Sequence, residues 1–223
     1  MIVEERFVTY INSLDTPNSK LLLEIEKEAL RDEVPIIRKE TQAFLKVMLA
    51  VKKPKRILEI GTAVGFSALF MAEHDACLEE LVTIENYEKR IPIAKKNIER
   101  AGESERIKLL NGDALSVMQT LTKPFDFIFM DAAKAQYINF LPEVLRLLKT
   151  DGVLVSDNVL QDGDVIESRF AVTRRNRTIH KRMREYLYEV THHEALCTSV
   201  VTVGDGLTVS VKQDNQGKIW QSV

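Results

Sequence analysis

Residues 56–67 read RILEIGTAVGFS, and this stretch decides the fold. A short apolar run ends at Ile60, Gly61 and Gly65 follow four residues apart, and a helical pattern comes next. A strand, a glycine-rich turn and a helix in this order are typical of nucleotide-binding α/β units. The dinucleotide fingerprint Gly-x-Gly-x-x-Gly lacks its third glycine here, and Glu59 would repel a pyrophosphate. The loop therefore favours a cofactor with a cationic or neutral group at this position over the NAD of a dehydrogenase.

Outside this unit, short apolar runs alternate with helical patterns along the chain. The further runs are 81–85, 107–110, 125–131 and 152–157. Repeated alternation of this kind predicts an α/β fold, with a mostly parallel sheet and helices on both faces. Near the end, two β-rich runs at 198–203 and 207–212 flank Gly204-Asp205-Gly206, which predicts an antiparallel hairpin.

The first part of the chain shows helical periodicity instead. We expect residues 1–53 to form an N-terminal helical cap and residues 54–223 to form the α/β core, together one domain. A length of 223 residues agrees with a single domain.

Composition and charge narrow the class of protein. With 45% hydrophobic and 29% charged residues, the chain has an ordinary globular composition. A net charge of −2 predicts no overall attraction to nucleic acid or to an anionic membrane. Cys77 and Cys197 are too few for a disulfide scaffold and indicate reduced thiols. We expect no leader segment, no membrane span and a cytoplasmic location.

Each predicted parallel strand ends in or next to an acidic residue. In strand order these are Glu59, Glu85, Asp113, Asp131 and Asp157, the last followed by Asn158. One such residue is usually a helix cap or a turn former. Five of them at one edge of a sheet indicate a polar ligand site, because ligands bind beyond the carboxyl ends of parallel strands. Glu85 is placed to accept hydrogen bonds from a ribose.

Three segments resemble the class I S-adenosylmethionine-dependent methyltransferases, and in more detail the cation-dependent O-methyltransferases related to catechol O-methyltransferase. They are residues 58–67, 131–137 and 156–160, within a likeness that runs from about 35 to 212. The family commonly has Tyr where this chain has Phe66. The resemblance implies a Rossmann-like fold with a mostly parallel seven-stranded sheet, and S-adenosylmethionine (SAM) as the cofactor.

The resemblance also implies a metal site and a catalytic lysine. Asp131, Asp157 and Asn158 would be the protein ligands of Mg²⁺, or of Mn²⁺. Two carboxylates and one amide oxygen are hard ligands that suit such ions and are poor for zinc. Lys134 matches the catalytic lysine of the family, which takes the proton of the substrate hydroxyl or stabilises the oxyanion. The alternative for Lys134 is a solvated lysine at a helix start.

The cofactor contacts carry over position by position. Those implied near the methionine part are Glu59, Gly61 and Ser67, with Glu85 on the ribose and Asp113 and Ala114 near the adenine. Ile37 lies in the segment that lines the cofactor in relatives, and Asp131 lies between cofactor and metal.

One segment is strongly basic. Residues 169–184 contain six arginines, one lysine and no acid, which leaves 24 basic against 33 acidic residues in the rest of the chain. Such a concentration of arginine favours a phosphate-rich polymer. The alternatives are a solvated helix face or arginines paired with acids at a dimer interface. The residues that we expect to contact RNA are Arg174, Arg175, Arg177, Lys181 and Arg182.

Within the family, this segment, the N-terminal helices and the form of residues 131–137 together resemble the bacterial tRNA 5-hydroxyuridine methyltransferases. These enzymes make 5-methoxyuridine at the wobble position of the anticodon. The alternative within the family is a small-molecule enzyme that acts on catechols or hydroxycinnamoyl esters, and outside it a non-catalytic RNA-binding module. The N-terminal helices and the apolar C-terminal hairpin, together with the resemblance, predict a homodimer.

Overall fold

A computed structural model of the chain describes residues 3–214. Within that range the helices are α1 (Glu5–Ser13), α2 (Lys20–Arg31), α3 (Lys39–Lys52), α4 (Phe66–His74), α5 (Ile91–Arg100), α6 (Ala114–Thr120), α7 (Tyr137–Leu147) and α8 (Arg177–His192). The strands are β1 (Arg56–Ile60), β2 (Glu80–Glu85), β3 (Ile107–Asn111), β4 (Phe125–Met130), β5 (Leu148–Ser156), β6 (Leu196–Val201) and β7 (Leu207–Lys212). Two short 3-10 helices span Lys134–Gln136 and Gln161–Ile166.

The strands described form one sheet in the order β3-β2-β1-β4-β5-β7-β6. Strands β1 to β5 are parallel, and β7 runs antiparallel to both β5 and β6. The predicted Rossmann-like α/β fold and its C-terminal hairpin are therefore confirmed. Because β1 pairs with both β2 and β4, the chain reverses its direction of winding between β1 and β4. The loops that follow these two strands diverge and open a crevice at the carboxyl edge of the sheet.

Strand β4 shows how the sequence fills both faces of the sheet. Phe127 and Phe129 pack into one buried cluster with side chains from α2, α3 and α4. Ile128 and Met130 point the other way, into a second cluster with side chains from α7 and α8. Successive side chains of a strand alternate between its faces, so a continuous apolar run is required when both faces are covered.

The N-terminal helices differ in how deeply they pack. Leu22 and Ile25 of α2 and Leu45 of α3 are fully buried in the core. Helix α1 has no buried residue, and its Tyr10 and the residue that follows the helix, Leu14, are largely exposed. The division into a cap of residues 1–53 and a core of residues 54–223 remains a prediction.

Two strands differ from the sequence prediction by two or more residues at a boundary. Strand β5 begins at Leu148 rather than at Gly152, because Leu148 already pairs with Phe125 of β4, ahead of a register shift between Phe125 and Phe127. Strand β6 begins at Leu196, two residues before the predicted run, and ends at Val201. Among residues 3–214, no helix combines the length and the apolar character needed to cross a membrane.

Candidate functional site

The carboxyl edge of the sheet holds a cleft of about 920 Å³. This volume is typical of sites for small ligands and cofactors. The predicted site residues that line the cleft are Ile37, Gly61, Glu85, Asp113, Ala114, Asp131, Lys134, Asp157 and Asn158. Ser67 lies in a smaller recess that shares Gly61 and Asp131 with the cleft, whereas Glu59 is fully buried.

Gly61 brings the loop after β1 against the end of β4. Its φ is +102°, and a Cβ at this position would lie 2.1 Å from the carbonyl oxygen of Asp131. The Asp131 amide in turn donates to the carbonyl of Ile60 at 3.0 Å. Only glycine fits, since both the backbone conformation and the space exclude a side chain.

Glu85 ends β2 with its carboxylate fixed by backbone amides. One oxygen accepts a hydrogen bond from the Ala63 amide at 2.7 Å, and the other accepts from the amides of Asn86 at 3.0 Å and Tyr87 at 2.8 Å. The residue is 9% exposed and borders the cleft. A carboxylate has about four acceptor positions, and three are used here, so one remains for a hydroxyl group of a ligand.

Glu59 lies beneath the loop rather than on the cleft surface. Its carboxylate accepts a hydrogen bond from the Thr83 hydroxyl at 2.5 Å. Burial raises the pKa of Glu59 to about 7, with smaller contributions from the charges of Asp131 and Glu85, while hydrogen bonds from Ser67 and Thr83 oppose the shift. Its predicted contact with a cofactor stays a prediction.

Asp113 has a local structural role as well as a place in the cleft. One of its carboxylate oxygens accepts from both the amide and the hydroxyl of Ser116 at 3.0 Å, and so caps the start of α6. The hydrogen bond from the Ser116 amide is the main cause that lowers the pKa of Asp113. This is the ordinary N-cap alternative that applies to any single aspartate.

Asp131, Lys134, Asp157 and Asn158 meet where β4 and β5 end. Lys134 Nζ lies 2.6 Å from Asp131 Oδ1 and 2.7 Å from Asn158 Oδ1. Asp157 is buried beside them, and its carboxylate accepts from the Asn158 amide at 2.7 Å. Burial, followed by the charge of Asp131, raises the pKa of Asp157, and Lys134 opposes the rise.

The side chain of Tyr137 links the end of β4 to the end of β5. Its buried hydroxyl lies 3.0 Å from the carbonyl oxygens of Met130, at the end of β4, and of Asp157, just after β5. This tyrosine closes the motif of residues 131–137, but no sequence pattern predicts a role for it. The hydroxyl fixes the spacing of the two strands that carry the acidic residues.

The donor set fits a hard divalent cation. An ammonium group already lies between a carboxylate oxygen and an amide oxygen, so this position attracts positive charge. Within residues 3–214, no three His, Cys, Asp or Glu side chains are grouped so as to hold a metal ion. A cation at Asp131 and Asp157 would therefore depend on the amide oxygen of Asn158.

Sequence reasoning missed the residues that support Asn158. Asp205 Oδ2 accepts a hydrogen bond from Asn158 Nδ2 at 3.1 Å, and Arg38 forms an ion pair with Asp205 at 2.7 Å. Both residues border the cleft. The sequence pattern places Asp205 only in the turn between the hairpin strands. No local pattern links it to Arg38, because the two lie far apart in the sequence.

The basic segment presents only part of its charge to solvent. Arg174, Arg175 and Lys181 are exposed, whereas Arg177 and Arg182 are partly buried. Arg182 donates to the carbonyl of Ala135 at 3.0 Å, which ties α8 to the short helix that begins with Lys134.

Comparisons with known proteins agree with this architecture. Two catechol O-methyltransferases, from Niastella koreensis and Mycobacterium tuberculosis, are 35% and 34% identical to the chain over 128 and 137 residues. These alignments cover 56% and 60% of this chain, and the chain spans 58% and 62% of the length of those relatives. The crystal structure of a Podospora anserina methyltransferase bound to S-adenosylhomocysteine superposes with a TM-score of 0.84. It is 26% identical and covers 94% of this chain and 95% of its own. The pattern that defines the O-methyltransferase family matches residues 12–213, and the chain belongs to that family.

Proposed function

We propose that this protein transfers a methyl group from SAM to the 5-hydroxyl of 5-hydroxyuridine at the wobble position of tRNA, with the help of Mg²⁺ or Mn²⁺. The product would be 5-methoxyuridine. The observation that carries the RNA substrate is the acid-free basic segment, residues 169–184, which begins eleven residues after Asn158 and is tied by Arg182 to the Lys134 segment.

Features of the cleft favour SAM as the cofactor. Glu85 presents a fixed carboxylate for the ribose, and Gly61 and Asp131, whose backbones approach each other closely, line the same cleft. The Podospora anserina structure holds S-adenosylhomocysteine, which is what SAM becomes when it loses its methyl group. Bound SAM supplies a methyl group on a positively charged sulfur. When the substrate oxygen takes this methyl group, the sulfur is left as a neutral thioether.

The acidic group supports a divalent cation, held by Asp131, Asp157 and Asn158. Such an ion supplies positive charge that orients two adjacent oxygens of the substrate and lowers the pKa of its hydroxyl. The 5-hydroxyl and the neighbouring 4-oxo group of 5-hydroxyuridine are two such oxygens. Lys134 Nζ lies within 2.7 Å of both Asp131 and Asn158, so it can reach a substrate oxygen held there and assist its deprotonation. Tyr137 keeps Asp131 and Asp157 at a fixed spacing, and proximity would supply much of the rate.

The test is transfer of labelled methyl from SAM to bulk tRNA that carries 5-hydroxyuridine, with and without EDTA. Label in tRNA that EDTA abolishes is the expected result. A variant with Arg174, Arg175 and Arg177 all changed to Gln should lose most of the transfer, more so at higher salt. A control with exposed Lys20, Lys27 and Lys95 changed to Gln makes the same change in net charge away from the basic segment. Equal transfer by both triple variants would count against an RNA role for the segment.

A small catechol is the second candidate substrate, because the relatives from Niastella koreensis and Mycobacterium tuberculosis carry the name catechol O-methyltransferase. A catechol offers the same two adjacent oxygens to the cation. This candidate predicts that free catechol is methylated at least as fast as the tRNA, and that the arginine variant leaves that rate unchanged. Label that enters catechol and never tRNA would replace the first proposal with this one.

A further inference from the structure

The segment between the second 3-10 helix and α8 consists of two consecutive tight turns. In the first, the Ala171 amide donates to the carbonyl of Ser168 at 3.0 Å, which places Arg169 and Phe170 at the tip. In the second, the Asn176 amide donates to the carbonyl of Thr173 at 2.9 Å, which places Arg174 and Arg175 at the tip. We refer to residues 168–176 as the double turn.

The double turn exposes apolar surface next to its arginines. Phe170 is 87% exposed and the nearby Ile166 is 79% exposed, the two highest values for large apolar side chains among residues 3–214. Single exposed apolar residues are common and need no explanation. An almost fully exposed aromatic ring beside Arg169, with Arg174 and Arg175 on the next turn, is a more specific combination.

The double turn is also anchored rather than loosely attached. Val165 and Val172, on either side of the Phe170 turn, are both 4% exposed. The His180 ring donates to the carbonyl of Glu167 at 3.1 Å, and Arg184 donates to the carbonyl of Val165 at 3.1 Å. Helix α8 therefore holds the segment that carries Phe170 in place.

The sequence path and helix α8 both link the double turn to residues that border the cleft. The chain leaves the cleft at Gln161, which lines it, and reaches Phe170 nine residues later. The same helix that holds the double turn contacts the Lys134 segment through Arg182 and Ala135. A polynucleotide that inserts one base into the cleft would lay its neighbouring nucleotides over this surface.

We propose that Phe170 is a stacking platform for an unpaired base of the RNA substrate, with Arg169, Arg174 and Arg175 on the flanking phosphates. The inference deepens the proposed function and rests on it. Every base has an apolar face, and an exposed aromatic ring can cover that face only where the base is not stacked within a duplex. Arginine supplies the phosphate contacts that hold the strand in register. The surface therefore selects a single-stranded loop over a duplex.

The experiment compares wild type, Phe170→Ala and Phe170→Trp. Each is assayed for binding to an anticodon stem-loop that contains 5-hydroxyuridine and to a fully paired RNA of equal length, by fluorescence anisotropy. Tyr188→Ala is the matched control, since Tyr188 is an aromatic residue of α8 that is 65% exposed and lies outside the double turn. Methyl transfer to the stem-loop by wild type is measured in parallel.

We expect Phe170→Ala to weaken stem-loop binding by about 5- to 100-fold, the range set by the stacking of one base, with no change for the duplex. Phe170→Trp should bind as well as wild type, and Tyr188→Ala should be unaffected. Equal weakening for stem-loop and duplex would overturn the inference, because Phe170 would then only shape the turn. Unchanged binding in Phe170→Ala, with active wild type, would refute stacking and leave the proposed function standing. A wild type that neither binds nor methylates the stem-loop would instead overturn the proposed function and the inference together.

Discussion

Asp205 fixes the orientation of the Asn158 side chain: Asp205 Oδ2 accepts a hydrogen bond from Asn158 Nδ2 at 3.1 Å. The two residues come from different loops, one after β5 and the other between β6 and β7. The amide oxygen of Asn158 is therefore directed away from Asp205, and it accepts from Lys134 Nζ at 2.7 Å. Without Asp205 the amide would be free to turn its NH₂ group toward Lys134 and Asp131.

Loss of this bond should weaken cation binding. We predict that Asp205→Ala lowers the affinity for Mn²⁺ by about 10- to 100-fold, the usual effect of removing a residue that orients a metal ligand. Asp205→Asn keeps an acceptor oxygen and should retain most of the affinity. Electron paramagnetic resonance of free Mn²⁺ measures both, with Asp113→Ala as a control from elsewhere in the cleft. Equal affinities for Asp205→Ala and wild type would show that Asn158 needs no such support.

Lys134 should matter for the chemical step and not for the cofactor. Lys134→Met removes the only atoms of the side chain that reach Asp131 and Asn158, and we predict a loss in kcat on the order of 10²- to 10⁴-fold. The affinity for SAM, measured by calorimetry, should stay the same, because Glu85 and the loop after β1 are untouched. A variant that keeps its kcat would leave Lys134 as a structural partner of Asp131.

The buried carboxyl of Glu59 should make stability depend on pH. Its pKa is about 7 in the folded protein against an ordinary value of 4.5, so between these values the folded state holds a proton that the unfolded state has lost. Stability therefore falls as pH rises through this window, by up to about 3 kcal/mol for this residue. Glu59→Gln keeps an acceptor for Thr83 and removes the titration. We predict that Tm of the variant minus Tm of wild type increases from pH 5 to pH 8 in buffer without SAM or divalent cations. A difference that is constant with pH would mean that Glu59 is already ionised in the fold.

Arg182 and Arg174 should have separable roles, although both belong to the basic segment. Arg182 donates to the carbonyl of Ala135, next to Lys134, whereas Arg174 is exposed at the tip of a turn. We predict that Arg182→Met lowers kcat for catechol and for tRNA alike, and that Arg174→Met raises KM for tRNA alone. Initial rates with both substrates distinguish the two. If Arg182→Met changed only the KM for tRNA, it would be an RNA contact, as the sequence prediction has it.

Local sequence patterns were sufficient to predict most of the fold. The apolar run of β4 and the strand, turn and helix of residues 56–67 are encoded in consecutive residues, and so is the hairpin around Gly204-Asp205-Gly206. The start of β5 was missed because residues 148–151 continue the apolar and charged pattern of α7, and only the pairing with β4 identifies Leu148 as strand.

The candidate site was predictable where it depends on strand ends and was not where it depends on distant pairs. Asp131, Asp157 and Asn158 follow strands whose order can be read from the sequence. The ion pair of Arg38 with Asp205 joins the start of the chain to its end, and no spacing rule connects them. The partial burial of Arg182 could not be predicted either, because helical spacing does not tell which of several arginines faces a neighbouring loop.

Gly61 also limits how this protein can diversify. With a Cβ at position 61 only 2.1 Å from the backbone of Asp131, neither loop can accept a bulkier residue there without displacing the other. A substitution at position 61 would therefore displace both the loop after β1 and the loop after β4, which together form this wall of the cleft. The turn tips at Phe170 and Arg174 are exposed, although the segment that carries them is anchored, so substitutions at these tips leave the wall intact and are the easiest route to new ligand preferences.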